Sequence, residues 1–147
     1  MQTFFRDLAR GEQVEYNILY LIQKKYPKAY KIKGYCKDYD LFIPEIQAGI
    51  EVKSDEKSKY TGNIVVEIEF DGKPSALSTT KADYWVWYDG ECVIFFKPKD
   101  IRNCIDENNL SVCSFVGKGD VKEKKAYLVK KNMLYKYAIT KKNIKWD

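Results

Sequence analysis

The chain has 147 residues, with 26 basic and 21 acidic side chains, a net charge of +5, twelve tyrosines, three tryptophans and no histidine. That length suits one domain burying roughly two-thirds of its unfolded surface, and the apolar and aromatic content excludes a disordered chain. Without histidine neither a Ser-His-Asp nor a Cys-His arrangement nor a histidine-dependent nuclease site can be assembled, so any catalysis must run on carboxylates, lysine and metal.

Residues 12–24 carry Val14, Ile18, Leu21 and Ile22 at helical spacing, with Glu15 and Leu19 on the flank of the same stripe. Pro27 closes this helix. At 100° per residue Glu15 falls inside the apolar arc and Glu12 near its edge, so Glu15 is the acid directed toward the fold, where a half-buried carboxylate needs a partner. Residues 30–32 and 37–43 read as strands from their aromatic and β-branched content, the second ending at Pro44. A loop over residues 44–49 returns the chain into Ile50-Glu51-Val52-Lys53, whose alternation puts Ile50 and Val52 on one face and Glu51 and Lys53 on the other. Asp40 and Glu51 are eleven positions apart, a spacing that suits two adjacent antiparallel strands with both acids at one level. Two such carboxylates repel unless a cation sits between them; Lys53 offers one charge and a divalent metal another.

Residues 54–62 form a polar connection. Residues 63–70 alternate again, with Ile64, Val66, Ile68 and Phe70 on one side and Val65, Glu67 and Glu69 on the other. Asp71-Gly72-Lys73-Pro74-Ser75 is a turn, and Ser78-Thr79-Thr80-Lys81-Ala82 has the hydroxyls of a helix start. The runs 84–88 and 91–96 flank Asp89-Gly90, a hairpin signal, and alternation there makes either Trp85 and Trp87 or their neighbours a core set. Pro98 opens a helix stopped by Asn108-Asn109. Short strands are expected over residues 110–116 and 126–129, and a last short helix over 132–138.

From Lys118 onward ten lysines face three acids, a charge of +7 that leaves −2 on residues 1–117. This tail is a candidate phosphate-facing surface. Cys36, Cys92, Cys104 and Cys113 show no Cys-x-x-Cys spacing; a zinc site would need cysteine alone, and buried reduced thiols are the better reading. No apolar run approaches the ~20 residues that span a bilayer, and the start lacks a basic segment followed by an apolar one, so a soluble, cytoplasmic protein without membrane contact is expected.

Asp40, then Glu51-Val52-Lys53 near the end of a strand pair, with Glu15 on a preceding helix, resembles the signature of the PD-(D/E)xK nuclease superfamily. The longer run from Glu51-Val52-Lys53-Ser54-Asp55 through Thr61-Gly62-Asn63 and Glu67 to Gly72-Lys73-Pro74-Ser75 and Ser78-Thr79-Thr80-Lys81-Ala82-Asp83-Tyr84-Trp85 is similar to small phage-type endonucleases of that superfamily, over residues 11–97. Tyr39 stands where the motif's name has proline, Asp38 is a second acid two positions before Asp40, and Glu12 competes with Glu15, which Gly11 four positions earlier favours. The tail from Asn108 carries no resemblance.

The resemblance implies a restriction-endonuclease-like core, α/β or α+β, with a mixed central sheet flanked by helices. It implies a metal-dependent endonuclease that hydrolyses DNA phosphodiester bonds. Asp40 and Glu51 would hold Mg²⁺ or Mn²⁺, hard cations suited to oxygen ligands, Lys53 would position the attacking water, and Glu15 would be the helix acid. Glu67 is a further metal-ligand candidate. Ser78, Thr79, Thr80 and Lys81, with Lys57 and Lys59, are DNA-contact candidates by their phosphate-binding chemistry. The implied partner is DNA and the implied assembly a homodimer or higher homo-oligomer. Two other readings are a junction-resolving or branched-DNA nuclease of the same fold, and a DNA-binding module that does not cleave.

Overall fold

The computed structural model describes residues 2–34, 38–116 and 122–143. Cys36 and Lys37, and in the tail residues 118–121 and 144–147, lie outside the described residues. Helix α1, Gln2–Gln23, begins ten residues before the apolar periodicity does. The longer helix passes through Gly11, beside which Arg10 pairs with Glu56 at 3.0 Å. Its buried stripe is Val14, Ile18, Leu19 and Ile22, packed on Leu41, Ile43, Ile50, Val86 and Val93 of the central sheet.

That sheet is mixed and six-stranded. Its strands are β1 (Tyr30–Lys31), β2 (Leu41–Ile43), β3 (Ala48–Ser54), β6 (Tyr84–Tyr88), β7 (Cys92–Phe96) and β10 (Thr140–Asn143), side by side in that order. β2 and β3 form the expected antiparallel pair, with Leu41 opposite Ile50. β3 and β6 run parallel, Glu51 beside Trp85 and Lys53 beside Trp87. β6 and β7 form the hairpin signalled by Asp89-Gly90, with Gly90 at φ 96°.

A second sheet was not anticipated. It comprises β4 (Asn63–Phe70), β5 (Lys73–Pro74), β8 (Val112–Phe115) and β9 (Lys124–Lys130) in the order β5-β4-β9-β8, all antiparallel. Residues 63–70 are thus a strand as expected, but one paired with the lysine-rich tail. The register slips between Glu67 and Glu69, a bulge that ends the simple alternation: Ile64 and Val66 are buried while Phe70 is only half-buried.

Helix α3, Pro98–Glu107, starts at its proline and is stopped by Asn109 in the left-handed region at φ 51°. Its Ile101, Cys104 and Ile105 pack with Ile64, Val66 and Val129 of the second sheet against Trp85, Trp87, Ile94 and Phe96. The central sheet therefore has α1 on one face, and α3 with the second sheet on the other. This corrects the expectation that alternation leaves one set of β6 side chains outside the core: Trp85 and Trp87 are buried on one face, Val86 and Tyr88 on the other. Cys92 and Cys104 are buried free thiols and Cys113 a half-buried one.

The basic tail is part of the fold. After β9 it makes a single turn, α4 (Lys131–Leu134), a 3-10 turn over Tyr135–Tyr137 in place of the continuous helix expected, and then β10 at the sheet edge. Leu134 is fully buried. Among the described residues no helix is long and apolar enough to cross a membrane.

Candidate active site

Asp40 immediately precedes β2, and the register of Leu41 with Ile50 carries it across from Glu51, as the eleven-residue spacing predicts. Its backbone N–H donates to the Ile50 carbonyl at 2.8 Å. Its carboxylate accepts a 2.8 Å hydrogen bond from the Val52 N–H and is 7% exposed. The main chain of β3 thereby fixes the aspartate against the strand that carries the glutamate.

Glu51 and Lys53 project from β3 on the face opposite Ile50 and Val52. Their side chains meet at 3.3 Å, and the Lys53 ammonium lies 5.1 Å over the Trp85 ring. Burial raises the Glu51 carboxyl above its ordinary range; Lys53 pulls it back, and Asp40 lifts it again by charge and by a hydrogen bond between the two carboxyls. The two carboxyl groups are hard oxygen donors, the ligand type that Mg²⁺ and Mn²⁺ take.

Glu15 occupies the phase expected of it, half-buried where Glu12 is exposed. Its carboxylate bonds Lys31 at 2.9 Å and lines a groove with Val52 and Ser54, on the α1 side of the sheet. Glu67 sits in the second sheet, where it accepts a hydrogen bond from the Ser75 hydroxyl at 2.8 Å. Among the described residues no group of three acidic or cysteine side chains gathers at one point. Asp38, the competing acid, is exposed and pairs at 3.8 Å with Lys81.

The helix start anticipated at Ser78 to Lys81 is absent. A 3-10 turn, Ala76–Ser78, ends there and the chain runs on without helix to β6, because the hydroxyls are spent elsewhere. The Ser78 hydroxyl donates to the Ile68 carbonyl, and Thr80 accepts from the Trp85 indole and the Ala82 N–H. Without a helix start the segment offers no row of helix-start amides, and Ser78, Thr79 and Lys81 remain as exposed side chains. Lys57 and Lys59 are exposed on the one-turn helix α2, Ser58–Thr61, and its N-cap.

Two supporting residues escaped notice in the sequence. A Cβ on Gly49 would lie 2.3 Å from the Tyr39 ring, so only glycine lets Tyr39 lie over β3 beside Asp40. Asp83 brackets the same glycine, its carboxylate accepting the Gly49 N–H and its own N–H donating to the Gly49 carbonyl, both at 2.8 Å. An isolated glycine leading into an alternating strand was the available signal.

Comparisons with protein-family models, with curated proteins and with solved structures find no match to this chain.

Proposed function

We propose that this chain is a divalent-metal-dependent endodeoxyribonuclease with a restriction-endonuclease-like core. The observation that carries the reading is the meeting of Asp40, Glu51 and Lys53: two carboxyl groups set across from each other on adjacent strands, the Glu51 group with a raised pKa, and an ammonium 3.3 Å from Glu51. A surface ion pair would not need a buried aspartate fixed by the strand's own N–H. A protein that only binds DNA gains nothing from clustered acids turned toward phosphate.

When bound, Mg²⁺ or Mn²⁺ neutralises charge on the scissile phosphate and makes a nearby water more acidic. Asp40 and Glu51 would hold the ion, Asp40 oriented by the Val52 N–H. Lys53, relieved of its pairing with Glu51 once the ion is there, would direct its ammonium to the attacking water or to a non-bridging oxygen. The Trp85 ring beneath it limits where that ammonium can go. Glu15 would be a flanking acid paired with Lys31, and Glu67, bonded by the Ser75 hydroxyl, would serve as a further ligand directly or through water.

The test is incubation with labelled linear duplex, single-stranded, supercoiled and four-way-junction DNA in Mg²⁺, Mn²⁺ or EDTA. Nicking or cutting in either metal, and none in EDTA, is the expected outcome. Preferential cutting of the junction would assign the resolvase branch of the same reading. Binding of duplex without cleavage of any form would replace it with the binding module.

A further inference from the structure

Beyond the C-terminal ends of the parallel strands lies a polar groove of about 850 Å³ between α2 with the start of β4 on one side and α4 with its following turn on the other. Lys59, Lys130, Lys131 and Lys136 line it, together with Asn63 and Asn132, and among the described residues no acidic one does. Lys131 is committed, its ammonium 3.2 Å from the buried Asp89 carboxylate. Lys59, Lys130 and Lys136 are exposed, and among the described residues none of them makes an ion pair.

Both walls are anchored. The Lys131 N–H donates to the Gly62 carbonyl at 2.9 Å, and the buried Ser58 hydroxyl donates to the Asp55 carbonyl at 2.7 Å. Three lysines without an ion-pair partner among the described residues, lining one groove with built walls, repel one another, which favours a polyanion there. The groove is also near the carboxylate pair. Ser58 is five residues from Lys53, so their Cα atoms are at most ~18 Å apart, about five base-pair steps of DNA along one strand. Lys53 and the groove's Met133 both pack on the side of the central sheet that carries Trp85.

We infer that this groove carries the phosphate backbone of one strand of a DNA duplex, holding it through Lys59, Lys130 and Lys136 beside the site of cleavage. The inference rests on the nuclease reading for its position, but binding tests it separately. Lys59, Lys130 and Lys136 are changed together to glutamine, and duplex binding is followed by fluorescence anisotropy in EDTA from low to moderate salt. A control changes Lys24, Lys25 and Lys28, exposed at the end of α1, to give the same net charge.

The groove variant should bind roughly 10- to 100-fold more weakly at low salt, and the slope of log affinity against log salt should shrink by about 2 to 3, close to one per lost phosphate contact. The control should keep the wild-type slope, and the melting temperatures of all three proteins should agree. A groove variant with the wild-type slope, or wild-type protein that binds no duplex, overturns the inference. Loss of slope in the groove variant, in a protein that cuts nothing in any metal, would uphold the groove and remove the nuclease reading. The converse, cleavage that Glu51→Ala abolishes with an unchanged slope in the groove variant, would do the reverse.

Discussion

Glu51 is held at a cost to the folded state. Its carboxyl binds a proton more tightly folded than unfolded, so stability is lost as pH rises from the ordinary carboxylate range through the raised folded pKa, and the loss persists at neutral pH. Glu51→Gln removes the charge and keeps the shape. It should raise the melting temperature at pH 7 by a few degrees, about what 1 kcal/mol produces in a chain of this size, and the gain should vanish below pH 4. Mg²⁺ at millimolar concentration should raise the melting temperature of the wild type and leave Glu51→Gln unmoved. Thermal melts at pH 3.5 and 7, with and without Mg²⁺, check both expectations. Asp40, Glu51 and Lys53 were legible because alternation and spacing are local, and the register of β2 with β3 turned spacing into contact. The sheet around Glu67 was not legible, since its strand partner Ala126 lies far along the chain, although its hydrogen-bond partner Ser75 is near.

Among the elements, the β6–β7 hairpin and α4 depend on Asp89. The hairpin's Asp-Gly signal was plain in the sequence, but not the rest of what the aspartate does. Buried at 1% exposure, it accepts hydrogen bonds from the Glu91 and Cys92 N–H groups and from the Tyr135 hydroxyl at 2.6 Å, and it pairs with Lys131. Burial would raise its carboxyl, but these partners outweigh it and hold the group below its ordinary range. A depressed carboxylate contributes stability above its unfolded pKa that is lost as pH falls through the folded one. Asp89→Ala should therefore destabilise the protein by about 3 kcal/mol at neutral pH, because it leaves buried donors and an ammonium without their acceptor. Urea denaturation at pH 7 measures this, and the deficit should narrow toward pH 3. Sequence pattern recovered α3, with Pro98 and Asn108-Asn109 at its ends, for the same local reason that it recovered the hairpin. It misassigned Ser78 to Lys81 as a helix start because hydroxyls that cap amides also bond carbonyls and indoles, and only the packed neighbour decides.

On the scale of the molecule, the lysine-rich tail reads in the sequence as a charged appendage, yet β9 pairs with β4 along most of its length and β10 closes one edge of the central sheet. Its charge was legible and its structural role was not, since Ala126, Val129 and Leu134 are buried between half-buried and exposed lysines at irregular spacings that show no period. Truncation after residue 110 would uncover Ile64 and Val66 and unpair β4; loss of the cooperative melt in circular dichroism is expected. One fold would then serve two tasks with one segment, completing both sheets and presenting Lys130 and Lys136 beside the end of β3. Whether Asp40, Glu51 and Lys53 form a hydrolytic site is decided by single-turnover cleavage of duplex DNA in Mg²⁺ by Glu51→Ala and Lys53→Ala. Both rates should fall by roughly 100-fold to 10,000-fold while duplex binding in EDTA is kept. Cleavage by Lys53→Ala at the wild-type rate would contradict the account.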